Sequence, residues 1–547
     1  MKKTIQAPKK LGLSAIATLC LLNLHAQAFA SLNPQTPKSA TQPNSIRPVV
    51  DDLSEPMHHF FVNRIATHSK KPMVDQNNEN LETLLSSLGV PYEVSEDPYL
   101  WSEDNKIVAR QGQQLYLYQP LPQYGLQEIP LEFAKAIKQV NSSQYAGFHN
   151  IEDNQQELMF QQFSAKGLDA NSIEKFAAQI QAQATNLDSV QVKSIVPIIN
   201  GGNHLAGRKQ DGSYYVLVGQ DSLYHTIFNY FGYDLRKRPN IADQFDQDVG
   251  FYFDQAIFNQ GLRIKMAAHR AFLTKIRTQQ PLSKYDEAYK AKYLFHRALL
   301  KALNPQKPNS RNSFNLVKAT LSYFVYEDLT RVLMAKTFGV ADLQSLIVVP
   351  QASFHIDMTM RPVHQGEVWV DSPAVTYQLL EQTYSYGGCR NNGQYKNKKQ
   401  AKFCQTKQAT LAHAQAQLPQ RQKVYEQIES VLTEQGLMVH PVPGSMKFYQ
   451  EEKGQVSAIS GANFMNGFIN SQANGGFSYA VLGSRYPIIN KSYRDWIEND
   501  RSLEVGENFD LHLFGTQPLS SDNATNQVLA DEYFFAQGGL DCITIHF

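Results

Sequence analysis

The chain has 547 residues, with 51 basic and 50 acidic side chains, a net charge of +1 and 11% aromatic residues. With no lysine- or arginine-rich block after its first residues, it carries no electrostatic footprint for nucleic acid or for an anionic membrane surface. Its length allows a substantial core, built as one large domain or as two to three ordinary ones.

Taken in chain order, the first thirty residues read as a secretory signal. Lys2, Lys3, Lys9 and Lys10 make a basic start, "LGLSAIATLCLLNL" (11–24) is the apolar run, and "AFA" (28–30) supplies small residues for cleavage. The run is shorter than the roughly 20 residues that span a bilayer. A retained N-terminal anchor is the alternative, and the small-residue ending favours removal. Losing residues 1–30 leaves 47 basic against 50 acidic side chains, a net of −3. The polar, proline-bearing stretch that follows predicts a flexible lead-in over 31–50.

From there one pattern recurs loosely: an amphipathic helix, a short apolar strand, then a polar or glycine-rich corner. It occurs at 81–104, 173–203, 329–357 and 424–445. The segment from 463 to the C-terminus adds strand-like runs and a last glycine corner. Four or five such units predict a cyclic α/β arrangement over 51–547 in which strand ends converge on one axis. Two insertions interrupt it, a mainly helical one at about 221–328 and a second at about 375–420. No proline- or glycine-rich linker sets the helical insertion apart as its own domain.

Cys20 leaves with the signal, so the mature chain keeps Cys389, Cys404 and Cys542. The stretch "YSYGGCRNNGQYKNKKQAKFC" (384–404) has the composition of an exposed loop. In an oxidising compartment Cys389 and Cys404 are placed to close it as a disulfide. Cys542 is then the odd thiol, either buried and inert or reactive by design.

Four stretches stand at the ends of predicted strands. "LWSEDN" (100–105) offers Glu103 and Asp104, "INGGNHLAG" (199–207) offers Asn200, Asn203 and His204, "SFHIDMTMRP" (353–362) offers His355 and Asp357, and "QGGLDCITI" (537–545) offers Cys542. Alone, each has a plain structural reading: a satisfied His-x-Asp pair, a Gly-Gly turn, an Asp cap. His204 reads as structural, and His364, His440 and His546 carry no distinct signal. The shared position of the four stretches, after a strand in successive units, is what sets them apart.

In that order the motifs resemble those of guanidino-group-modifying enzymes of the pentein fold, which include arginine, agmatine and peptidylarginine deiminases and amidinotransferases. "FHID" resembles that family's His-x-Asp and "GGLDCIT" its C-terminal Gly-Gly-x-x-Cys. "LWSED", "NGGN" and "NFMNGFI" are similar to further segments of the same series. The resemblance implies a five-bladed α/β propeller with pseudo-fivefold repeats. It also implies Cys542 as nucleophile, His355 as acid and base, and Asp104 and Asp357 as carboxylates for the guanidinium. Two positions depart from the family pattern. Asn200 stands where a glutamate commonly orients the histidine, and Glu103 stands where many members have arginine.

The chemistry is coherent. A guanidinium is planar and always charged, and two in-plane carboxylates match its fork of donors. Its central carbon is a poor electrophile, so attack needs a thiolate. The expected product is a ureido compound plus ammonia, with no metal or other cofactor required. Glu103 and Asn200 would support the site, and Arg361 either meets a substrate carboxylate or makes a structural ion pair. The expected partner is a free or peptidyl guanidine, met in a secreted or periplasmic setting, with no nucleic acid and no membrane after signal removal. Amidino transfer to an amine, a non-catalytic guanidine-binding protein and a papain-like peptidase are the alternatives. The last normally places its cysteine early, at a helix start.

Overall fold

The computed structural model describes residues 46–52, 60–63, 72–87, 91–95, 107–120, 170–183, 187–195, 197, 199, 201–231, 255–303, 313–340, 343–353, 355–386, 389, 398–471, 476–499, 509–516 and 544–546. These form a mixed α/β fold whose strands fall into six sheets, none closed on itself. In chain order, β1 (Arg47–Pro48), β2 (Phe60–Asn63), α1 (Pro72–Ser87) and β3 (Tyr92–Ser95) come first. Next are β4 (Ile107–Gln111), β5 (Gln114–Pro120), α2 (Ala170–Gln183) and β6 (Ser189–Ile195). The chain continues through β7 (His204–Arg208), β8 (Tyr214–Gly219), α3 (Gln220–Phe231), α4 (Gln255–Arg277), α5 (Lys284–Leu303), α6 (Ser313–Thr337) and β9 (Leu346–Val349). Then come β10 (Met360–Pro362), β11 (Glu367–Asp371), α7 (Pro373–Tyr386), α8 (Lys398–Gln405), α9 (Lys407–Glu434) and β12 (Met438–Val442). A hairpin, β13 (Ser445–Glu452) and β14 (Gln455–Asn463), precedes β15 (Gly467–Ser471), β16 (Phe477–Leu482), α10 (Pro487–Asn499), β17 (Phe509–Phe514) and β18 (Thr544–His546).

One local plan recurs five times. Two strands pair antiparallel, a helical crossover follows, and a third strand returns parallel to the second. It is met in β4-β5-β6, β7-β8-β9, β10-β11-β12 and β15-β16-β17. The fifth set joins the two ends of the chain, with β18 antiparallel to β2 and β2 parallel to β3. Parallel neighbours require a crossover long enough for a helix, which is why a helix separates the second and third strands each time. In three units the hairpin between the first two strands turns at a glycine with positive φ: Gly112 (+59°), Gly212 (+81°) and Gly366 (+81°). The middle strand, covered on both faces, reads as a near-continuous apolar run, as in "YYVLVG" of β8 and "FSYAVL" of β16.

Two cores dominate. Helices α3 to α6 pack Tyr224, Phe258, Phe295, Tyr323 and Tyr326 against β8 and β9 in one cluster. The second joins Trp369, Tyr384, Phe403, Phe464, Tyr479 and Tyr493. Residues 46–52, which overlap the expected lead-in, are part of the described fold. Arg47 and Pro48 pair with Arg110 and Ala109, and the Asp51 and Asp52 carboxylates accept hydrogen bonds from the backbone N–H of Ala206 and Arg208 at 2.6 and 2.7 Å. Residues 46–52 thus tie the β4-β5-β6 sheet to β7. Among the described residues no helix is long and apolar enough to cross a membrane.

Candidate active site

The stretches joining one three-stranded set to the next carry the candidate residues. In sequence, Glu103 and Asp104 fall between β3 and β4, and Asn200 between β6 and β7. His355 and Asp357 fall between β9 and β10, and Cys542 between β17 and β18. The structure brings two of these connections, β6–β7 and β9–β10, together with the turn between β14 and β15 around His355 and Asp357.

The first contact comes from the buried single turn Gly201–Asn203 ahead of β7. The Gly202 carbonyl accepts hydrogen bonds from the N–H groups of both Ile356 and Asp357, at 3.0 and 3.1 Å. A Cβ on Gly202 would collide with the His355 ring at Nδ1 and Cγ and lie 3.0 Å from Asp357 Oδ2. Only glycine lets the two connections approach this closely. Next to it, the Gln351 side-chain amide donates to Asn203 Oδ1 at 2.9 Å. Gly219 leaves the space that these two amides fill.

The second contact comes from the turn between β14 and β15. Asn463 donates from Nδ2 to the Met358 carbonyl at 3.1 Å, while its Oδ1 accepts from the Met465 N–H at 2.8 Å. Asn466 donates from Nδ2 to Asp357 Oδ2 at 2.6 Å. The turn is itself anchored. The Tyr479 hydroxyl donates to the Phe464 and Met465 carbonyls, and the Phe464 ring stacks on Tyr493 at 4.0 Å.

At the centre, His355 is 1% and Asp357 0% exposed. Burial lowers the His355 pKa to about 3, because an imidazolium would lose its hydration there. The ring is therefore neutral near pH 7, and burial as it stands opposes its protonation. His355 Nδ1 and Asp357 Oδ1 are 4.0 Å apart, beyond hydrogen-bonding reach, so the carboxylate does not orient the ring directly.

Of the residues expected from sequence, Asn200, Glu103, Asp104 and Cys542 lie outside the described residues, as do residues 1–30. Arg361 is fully buried on β10, opposite Trp369 of β11. Cys389 and Cys404 form a disulfide with Cα atoms 5.1 Å apart. Its ends are buried rather than exposed, because Tyr384 and Phe403, stacked at 4.5 Å, draw them into the second core. His204 packs on Phe338, His364 on Phe477, and His440 meets Glu367 at 3.0 Å, all structural placements. Among the described residues, no three His, Cys, Asp or Glu side chains converge as a metal site would need. The roles of Gly202, Gln351, Asn463 and Asn466 escape sequence reasoning. The Asn463–Asn466 spacing is visible, but nothing in a sequence says which carboxylate an asparagine will meet.

No protein-family model and no curated protein sequence matches the chain. Among solved structures it is similar to agmatine deiminase from C. jejuni, at 9% identity over 94% of this chain and 98% of that one, with a TM-score of 0.35. A form of the same enzyme with substrate bound gives 10%, 93%, 98% and 0.33. A candidate arginine deiminase from Porphyromonas gingivalis gives 10%, 92%, 98% and 0.34. At this distance the chemistry has to be argued from the chain's own residues.

Proposed function

We propose that the chain is an exported hydrolase that deiminates a guanidino compound through a covalent intermediate on Cys542. The observation that carries the reading is the buried His355–Asp357 pair, held where two inter-unit connections and the β14–β15 turn meet. The five sets of strands would close around this point as blades of a propeller. The connections with Asp104 and Cys542 would then complete the same pocket.

In this reading Asp357 and Asp104 accept the guanidinium N–H groups in its plane, with Glu103 adding negative charge for a cationic substrate. Neutral His355, oriented by the Asn200 side chain, takes the Cys542 thiol proton as substrate binds. The thiolate formed beside it and the pocket carboxylates raise its proton affinity above that set by burial alone. The thiolate attacks the central carbon, and the imidazolium returns its proton to the departing amine, which leaves as ammonia. His355 then removes a proton from water, which adds to the same carbon. The C–S bond breaks, releasing a ureido product and restoring the thiol. Each turnover consumes one guanidinium and one water and yields one urea group and one ammonium ion. Arg361 would meet a substrate carboxylate only where the pocket reaches β10. Substrates with and without that group, compared on Arg361→Met, decide its part.

The test compares wild type and Cys542→Ala on arginine, agmatine and arginyl peptides, scored by ammonia release and product mass. Wild type should release ammonia and gain +1 Da on the substrate, and the variant should do neither. An amidino group transferred to an added amine without ammonia release would move the activity to the transferase class. Binding without turnover would make the chain a guanidine-binding protein.

A further inference from the structure

We infer that Asn466 is a positioning residue for the substrate-binding carboxylate of Asp357, an inference that rests on the deiminase reading above. The two residues are 109 positions apart and belong to different units, yet both are fully buried, and Asn466 Nδ2 donates to Asp357 Oδ2 at 2.6 Å. A carboxylate turns easily about its last torsion. A donor fixed to one oxygen sets the plane in which both oxygens lie. In-plane recognition of a flat cation depends on that plane.

The identity of the donor matters as much as its place. An amide supplies the hydrogen bond without adding positive charge. A lysine or arginine at position 466 would cancel part of the attraction that Asp357 holds for a guanidinium. The same turn also grips the neighbouring backbone, where Asn463 donates to the Met358 carbonyl. Side chain and main chain at 357–358 are thus held from one place, and that place is rigid because Tyr479 and Phe464 anchor it.

The experiment measures kcat and KM against pH for wild type, Asn466→Ala and the isosteric Asn466→Asp, with circular dichroism as a folding control. For Asn466→Ala, KM for the guanidine should rise roughly ten- to a hundredfold while kcat changes less, since the lost bond serves binding of the charged group. For Asn466→Asp, two carboxyls meet at hydrogen-bonding distance, and only a shared proton restores the contact. Its kcat/KM should therefore recover towards acid pH, on a profile displaced from that of wild type. Folded variants with unchanged KM and an unchanged profile, beside an active wild type, overturn this inference and leave the deiminase reading standing. If neither variant folds, Asn466 is structural and the inference is wrong. A wild type that turns over no guanidine removes the deiminase reading itself.

Discussion

Two buried histidine–carboxylate pairs in this protein look alike in composition and differ in what holds the acid. In the helical layer, His296 of α5 lies 3.5 Å from Glu327 of α6, and Lys292 of α5 meets the same carboxylate at 2.5 Å. Burial pushes Glu327 towards the neutral form, but Lys292 and His296 outweigh it and hold its pKa well below the usual range. Rings of Tyr224, Phe295, Tyr323 and Phe324 surround His296. Between β9 and β10, by contrast, one donor to Asp357, at 2.6 Å, is the neutral amide of Asn466. A carboxylate partnered by a lysine has much of its charge answered within the fold. An amide fixes the geometry of a carboxylate and leaves its charge uncancelled by that donor. The first arrangement is a structural ion pair; the second is the one to which the proposed function gives a cationic substrate.

The sharpest way to break this contrast is to neutralise each centre in turn. Asp357→Asn should lower kcat/KM for a guanidine by roughly a thousandfold with the fold intact, the cost of losing one partner of a desolvated charge pair. Lys292→Met should do the reverse. Because Lys292 is itself 38% exposed, leaving Glu327 without its lysine should cost only about 1–2 kcal/mol in urea unfolding, with kcat/KM kept within about threefold. Equal losses of activity in both variants would erase the distinction.

Gly202→Ala probes the close approach that seats His355. The added methyl group must push the imidazole aside. We expect a loss of about a hundredfold in kcat/KM from misplacement and a stability loss of about 1–3 kcal/mol from overpacking. Retained activity would show that His355 has room to move without consequence.

The smallest effect concerns pH. Burial lowers folded His355 to about 3 and folded His204 to about 4, against 6.5 for free histidine. The unfolded chain therefore takes up protons first as pH falls. Stability should be full above about pH 6.5 and should decline towards pH 3–4, by about 2 kcal/mol for each histidine between pH 7.5 and 5. His204→Gln should remove its share of this acid sensitivity in urea melts, and an unchanged slope would mean that His204 is hydrated.

Much of this architecture was legible in the residues, for a physical reason. An amphipathic helix followed by a short apolar run is a local pattern, and it marks α1–β3, α2–β6, α6–β9 and α9–β12. The fifth instance, α10–β17, is easier to miss because the segment before it already reads as strands. Non-local facts were not legible. The pairing of β18 with β2 joins residues almost five hundred positions apart, and nothing in "TIH" names its partner. The region around Cys389 and Cys404 reads as exposed because its lysines, asparagines and glycines outnumber the flanking aromatics that bury its ends. At the site, the His-x-Asp of 355–357 stood out by type and spacing, while Asn466 became meaningful only once the fold set its amide against Asp357.

The most direct test of the account is the reactivity of Cys542 towards a cationic haloacetamidine and towards neutral iodoacetamide, read by mass spectrometry in wild type and Asp357→Asn. If the inter-unit connections form one pocket, the cationic reagent should label Cys542 faster in wild type, a guanidine should protect it, and Asp357→Asn should abolish the preference. A Cys542 that stays unlabelled, or that reacts equally with both reagents and without protection, would contradict it.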